Sequence, residues 1–140
     1  MTFSEIELPR KLTLQMLHLA QTEPDREICG LIGADSNGHP ITCYPIKNAS
    51  DKPQNNFLLD AAEHIATIRT MRDRGESLFA VFHSHPNAPA IPSTLDIEQT
   101  RSLNTLHLII SLNTKGILEL RCFLIGETEV SEIPLRLVEI

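Results

Sequence analysis

Leu78-Phe79-Ala80-Val81-Phe82-His83-Ser84-His85-Pro86-Asn87-Ala88-Pro89-Ala90-Ile91-Pro92-Ser93-Thr94-Leu95-Asp96 reads as a strand, a proline-rich turn and a helix start in direct succession. Residues 78–85 are an apolar run with aromatic and β-branched members, the composition of a buried strand. Ser93-Thr94-Leu95-Asp96 is a helix-start pattern, with serine as N-cap and an acid in the first turn. Side chains alternate along a strand, so His83 and His85 project from one side, about 7 Å apart along the backbone. The turn between Pro86 and Pro92 reverses the chain and can bring Asp96 back to the same point. Two imidazoles and one carboxylate form a catalytic type of zinc set, three protein ligands with a fourth position left for water. A structural zinc would want a fourth protein ligand, and no nearby cysteine supplies one.

The elements on either side fit a domain around that strand. Ile6-Glu7-Leu8 is a short strand leading into Pro9, and Leu12, Met16, Leu19 and Ala20 follow helical spacing over about 10–22, closed by Pro24. Ile28–Gly33 is a buried-type strand, joined by the turn residues Asp35-Ser36-Asn37-Gly38 to a partner strand over Ile41–Ile46. Asp60-Ala61-Ala62-Glu63 has the form of a capping box. It opens a helix with Ile65, Ile68 and Met71 on one face that stops at Gly75. A further helix runs from Thr94 to about Asn104. Strands over Leu106–Leu112, Ile117–Ile125 (after an Asn-Thr-Lys-Gly turn) and Glu129–Val138 finish the chain. The expectation is an α/β (mixed α+β) fold: residues 1–140 as one domain, a sandwich with a central mixed sheet and flanking helices.

Bulk properties narrow the function classes. A net charge of -6 and a pI near 5.4 argue against nucleic acid or an anionic membrane as partner. No apolar run approaches the roughly 20 residues that span a bilayer, and the N-terminus does not read as a secretory signal. Cys29, Cys43 and Cys122 are odd in number and never in a C-x-x-C pair, so neither a disulfide framework nor a cysteine metal site is expected. The compartment reads as cytoplasmic.

Hydrolysis at a zinc centre also needs a base. Glu27 is the candidate: it precedes an apolar strand where a carboxylate has no evident pairing role, and its neighbours Cys29, Gly30 and Gly33 are small enough for substrate or metal to approach. By spacing alone Glu27 is one of several acids. Each member of the set also has an ordinary reading: His-x-His on a strand as packing, Ser93 and Asp96 as a helix cap, Glu27 as a surface acid. His18, His39, His64 and His107 show no ligand spacing and read as structural or solvated, and Cys29 as a small buried residue.

Taken jointly, Glu27-Ile28-Cys29-Gly30-Leu31-Ile32-Gly33, His83-Ser84-His85-Pro86 and Ser93-Thr94-Leu95-Asp96 resemble the JAMM/MPN+ metallopeptidase family, whose signature is an upstream glutamate followed by H-[ST]-H-x7-S-x-x-D. The resemblance implies a JAMM/cytidine-deaminase-like fold and one Zn2+ per chain, held by His83, His85 and Asp96. It implies Glu27 as general base and acid, moving the proton of the attacking zinc-held water to the leaving amine, and Ser93 as oxyanion donor. A second zinc is not expected, since beyond Asp96 only His107 and Cys122 could serve, and they sit in different strands. Members specific for one type of ubiquitin chain carry insertions, one holding a second zinc; with no such insertion expected and no helical tail, the chain is similar to the stand-alone prokaryotic branch, as are Asn48-Ala49-Ser50 and Asn56-Phe57-Leu58-Leu59-Asp60. That branch implies a peptide or isopeptide substrate after the C-terminal Gly-Gly of a ubiquitin-like or sulfur-carrier protein, a tail that can lie in a narrow groove as an added strand. No nucleic acid or membrane partner is implied, and a homodimer is compatible. A non-catalytic MPN-type interaction module and a general small-peptide zinc hydrolase stay open as alternatives. A nucleobase deaminase does not, for want of the H-x-E and P-C-x-x-C pair.

Overall fold

The computed structural model describes residues 5–113 and 119–139. The chain runs β1 (Ile6–Pro9), α1 (Arg10–Thr22), β2 (Cys29–Ala34), β3 (Pro40–Ile46), α2 (Ala61–Asp73), β4 (Ser77–His85), α3 (Thr94–Thr100), a 3-10 turn (Arg101–Leu103), β5 (Thr105–Ser111), β6 (Glu119–Ile125), β7 (Val130–Ile133) and β8 (Leu135–Val138). Six strands form a mixed sheet in the order β3-β2-β4-β5-β6-β7, and β1 pairs with β8 in a separate two-stranded sheet. Within the six-stranded sheet β4 and β5 run parallel, because α3 crosses over between them, while β2–β3, β5–β6 and β6–β7 are consecutive antiparallel pairs and β2 pairs antiparallel with β4 across β3 and α2.

The two faces of this sheet have different contents. One face takes Ile32, Ala80, Phe82, Leu106, Leu108 and Ile110, covered by Leu12, Met16 and Ala20 of α1 and by Ile6 and Leu8 of β1. This is the larger core, and each fully buried Leu, Phe or Met contributes about 1.5–3 kcal/mol. The other face holds two smaller apolar clusters. One contains Leu31, Ile46, Phe57, Met71 and Val81; the other contains Ala90, Ile109, Phe123 and Ile125. Val81, His83 and His85 of β4 share this second face.

Three sequence expectations change on the structure. The expected strand over Glu129–Val138 is two strands: Pro134 has no N–H for a ladder, and after it β8 leaves the main sheet to pair with β1. The helical face of Ile65, Ile68 and Met71 is only partly inward. Met71 is buried and packs in the Phe57 cluster, while Ile65 and Ile68 are 56% and 41% exposed. Asp60 does cap α2 by accepting the Glu63 N–H, but the Glu63 carboxylate accepts from Lys47 N instead of closing a reciprocal box. The Asn-Thr-Lys-Gly turn before β6 extends outside the described residues. No helix among the described residues is long and apolar enough to cross a membrane.

Candidate metal centre

β4 lies between antiparallel β2 and parallel β5, so its register is held from both sides. His83 sits opposite Cys29 and Ile109, and His85 opposite Ser111. The intervening Ser84 points to the opposite face, where its Oγ accepts the Ile28 N–H at 2.9 Å and its own N–H donates to the Ile28 carbonyl at 3.0 Å. The middle residue of His-Ser-His therefore clamps the segment that carries Glu27. Glu27 is fixed further by its N–H donating to the Pro53 carbonyl at 2.7 Å and by its carbonyl accepting from Asn48 Nδ2 at 2.9 Å. Asn48 Oδ1 in turn accepts from Ser50 N and Leu58 N, which makes it the hub of the 48–58 loop.

The turn 86–92 is anchored at several points. Ser111 Oγ donates to the Ala88 carbonyl at 2.6 Å, and Ala90 N donates to the Glu119 carboxylate at 2.8 Å. The Pro89 carbonyl lies 2.8 Å from His85 Nδ1. A carbonyl only accepts, so His85 carries its proton on Nδ1 and Nε2 is left with a lone pair directed inward. At the head of α3, Ser93 and Asp96 form a reciprocal capping box: Asp96 N donates to Ser93 Oγ at 3.0 Å, and Ser93 N donates to Asp96 Oδ2 at 2.9 Å. The cap and the site geometry are thus one arrangement, with the capping carboxylate pointed at the histidines.

His83 Nε2, His85 Nε2 and Asp96 Oδ2 stand 2.9 to 3.1 Å from one another. Ligand atoms about 2.0 Å from a tetrahedral zinc would be roughly 3.3 Å apart, so the triangle is close to zinc size. Glu27 Oε1 lies 4.0 Å from His83 Nε2, and the four donor atoms fall within 4.8 Å of one another. All four residues are buried. Glu27 Oε1 is fully enclosed and has no hydrogen-bond partner, an atom in want of a proton or a water. This donor set fits a divalent cation.

Electrostatics separate the two acids. Burial pushes the Glu27 carboxyl up to about 8, opposed by the charge of His85 and reinforced by Asp96. Burial acts in the same sense on Asp96, yet hydrogen bonds from both histidines, the charge of His83 and the Ser93 N–H hold it far below the ordinary carboxylate range. Burial lowers His83, whereas His85 is raised because hydrogen bonds and charge from Asp96, with the Pro89 carbonyl, outweigh the effect of burial.

The structure gathers Glu27, His83, His85 and Asp96, with Ser93 at the rim. A groove of about 280 Å³ leads in, lined by Glu27, Gln54, Asn55, His85, Pro86, Asn87, Ala88 and Ser93. Ser93 Oγ accepts from Asp96 N and keeps its own proton free to donate. The expectation that Gly30 and Gly33 open space for substrate is not met. A Cβ on Gly30 would fall on the Tyr44 carbonyl and the Phe82 ring, and one on Gly33 would fall on the Glu76 carboxylate, so the protein itself fills those places. Sequence reading marked the segments of Asn48 and Phe57 only by resemblance and assigned neither a role: Asn48 acts in loop closure, and Phe57 stacks on the His83 ring at 4.4 Å. It also passed over His107, which is fully buried against His83. The available signal for His107 was one polar residue inside the apolar run Leu106–Ile110.

The chain is similar to several known proteins. A family model described as prokaryotic homologs of the JAB domain matches residues 9–126. The CysO-cysteine peptidase of Mycobacterium tuberculosis is 29% identical over 123 residues, which is 87% of this chain and 83% of that protein. The desampylase of Haloferax volcanii is 28% identical over 93 residues, 66% of this chain and 67% of that one. Among solved structures, a protein from Desulfitobacterium hafniense superposes with a TM-score of 0.85 at 33% identity, covering 96% of this chain and 94% of its own.

Proposed function

The chain belongs to the family of prokaryotic homologs of the JAB domain, and from that premise we propose that it cleaves the bond after the C-terminal Gly-Gly of a ubiquitin-like or sulfur-carrier protein. It is an enzyme of the zinc-dependent metallopeptidase kind, like its peptidase and desampylase relatives. The observation that carries the reading is the convergence of His83, His85, Asp96 and the unpartnered Glu27 within 4.8 Å. His83 Nε2, His85 Nε2 and Asp96 Oδ2 are the atoms that would hold one zinc per chain. When bound, zinc supplies a Lewis acid for the scissile carbonyl and lowers the pKa of water towards ~7.

The chain's own residues do the rest. Glu27 Oε1 accepts a proton from the attacking water and returns it to the leaving nitrogen. With a cation held by the neighbouring His83, His85 and Asp96 donors, its enclosed carboxyl would be ionised and placed to take that proton. Ser93, its hydroxyl proton uncommitted, donates to the oxygen that gains charge as the carbonyl becomes tetrahedral. The groove past Gln54, Asn55 and Asn87 would take an extended tail, in which a glycine pair needs the least room. A carrier-protein substrate is supported by what the similar proteins are named for cutting. The whole chain acts as one such domain, in the cytosol, consistent with three free cysteines.

Two measurements test this. Elemental analysis after dialysis is expected to give about one zinc per wild-type chain and none for His85→Ala. Gly-Gly-tailed carrier fusions are then expected to be cut by the loaded wild type. A wild type that takes up no zinc even when it is supplied would overturn the peptidase chemistry. Zinc uptake with cleavage of short peptides but of no carrier fusion would overturn the substrate alone.

Ser93→Ala separates two roles. Loss of an oxyanion donor slows turnover about 10²–10³-fold with zinc retained. Loss of the cap alone lowers stability by ~1 kcal/mol and leaves the rate of the folded enzyme unchanged. Both effects are expected together, because the hydroxyl both accepts from Asp96 N and faces the groove, and an unchanged rate would remove Ser93 from the chemistry.

A further inference from the structure

We propose that His107, on β5, is a positioning residue that sets the tautomer of His83 and thereby how tightly the centre holds its metal. This rests on the zinc reading above. His83 Nδ1 and His107 Nε2 are 2.8 Å apart, and both rings are fully buried. They meet edge to face at an interplanar angle of 83°, and Phe57 stacks on His83 while meeting His107 at its edge. Sheet neighbours of His107 are Val81 on β4 and Phe123 on β6, neither of which offers a polar side chain.

A neutral imidazole has one N–H and one lone pair. His83 Nε2 faces His85 Nε2 and Asp96 Oδ2, so presenting a lone pair to a cation there requires its proton on Nδ1. That proton needs an acceptor, and His107 Nε2 supplies it. His107 must then carry its own proton on Nδ1, and that atom is enclosed with no hydrogen-bond partner. A histidine kept only to satisfy the interior would have both nitrogens paired. Here one nitrogen is spent on His83 and the other is left unsatisfied, which is understandable if the first contact is what the residue is for. The alternative arrangement, with the proton on His107 Nε2, would put a proton on His83 Nε2 and close that atom to a metal.

The two ligand histidines are therefore oriented differently. His85 is set by a backbone carbonyl, which no single side-chain change removes. His83 depends on one side chain of a neighbouring strand.

The test measures zinc affinity of the full chain by competition with a chromophoric chelator. His107→Phe, which keeps bulk but offers no acceptor, is expected to weaken zinc binding about 10–100-fold. His107→Gln, whose amide oxygen can accept from His83 Nδ1, is expected to recover most of that loss. A reading that needs no variant comes from nitrogen-15 NMR of the zinc-loaded wild type: a slowly exchanging proton on His83 Nδ1 and an unprotonated Nε2 on His107. Wild-type affinity in His107→Phe, or a proton found on His107 Nε2 in the loaded protein, would overturn the positioning role while leaving the zinc centre standing. A wild type that binds no zinc would overturn both.

Discussion

Asp96→Asn is expected to lose zinc and all measurable turnover while the fold survives. Asp96 Oδ2 is the shared point of the site, 3.1 Å from both His83 Nε2 and His85 Nε2 and accepting the Ser93 N–H. Asparagine keeps size and an acceptor oxygen for that N–H but removes the charge, leaving two imidazoles as ligands, too few to hold the ion. Asp96→Ala should lose zinc as well and, with the carboxylate half of the capping box gone while Ser93 Oγ still accepts from residue 96 N, up to ~1 kcal/mol of further stability. The two variants together separate ligation from capping. The pH dependence has a definite sign. Asp96 is ionised in the folded chain far below its ordinary value of 3.8, so its contribution to stability is present above that pH and is lost as the pH falls further. Asp96→Asn should lack that acid-sensitive part. One zinc per chain at wild-type affinity in Asp96→Asn would remove Asp96 from the ligand set.

Glu27→Gln should do the reverse, keeping zinc and losing about 10²–10⁴-fold in turnover. Glutamine fills the same buried place but cannot take a proton. A fall in zinc content would instead make Glu27 a ligand. The metal-free protein provides a second readout. The folded chain keeps the Glu27 proton up to about 8, whereas the ordinary value is 4.5, so the folded state binds more protons than the unfolded one across that span. Its stability is therefore full below the lower value and declines as pH rises towards the upper one. Glu27→Gln has no carboxyl to ionise. Stripped of metal, it should match the wild type near about pH 4 and exceed it by ~1–3 kcal/mol above about pH 8. Chemical denaturation at the two pH values checks this, and equal stability at both would show that the wild-type carboxyl is not under that strain.

The sequence was legible where local rules decide the outcome. The alternation of β4 put His83 and His85 on one side, and the Ser93–Asp96 spacing marked a cap that the structure shows to be reciprocal. Glycine at 75, with φ of 73°, ended α2 as expected. What stayed hidden depends on contacts distant in sequence. Ile65 and Ile68 follow helical spacing as well as Met71 does, but only docking against the sheet decides which of them is covered. The break at Pro134 was written in the sequence, yet the new partner of β8, the first strand of the chain, was not. His107 lies 24 positions beyond His83 and meets it only because β4 and β5 pair in parallel. Asn48 looks like any loop asparagine until its bonds to Glu27 and Leu58 close the segment.

The division of the sheet into a large apolar face under α1 and a second face that carries the histidines has an evolutionary consequence. Changes at Glu27, His83, His85 or Asp96 leave Ala80, Phe82, Leu108 and their partners untouched. Some of those changes even relieve a buried carboxyl of its burden. Selection on folding alone would therefore hold Asp96, through its cap and histidine partners, more firmly than the buried Glu27, whose place a demand for turnover would have to keep. Wherever that demand lapses, a chain of this architecture can drift within a few substitutions to an inert scaffold of the same shape.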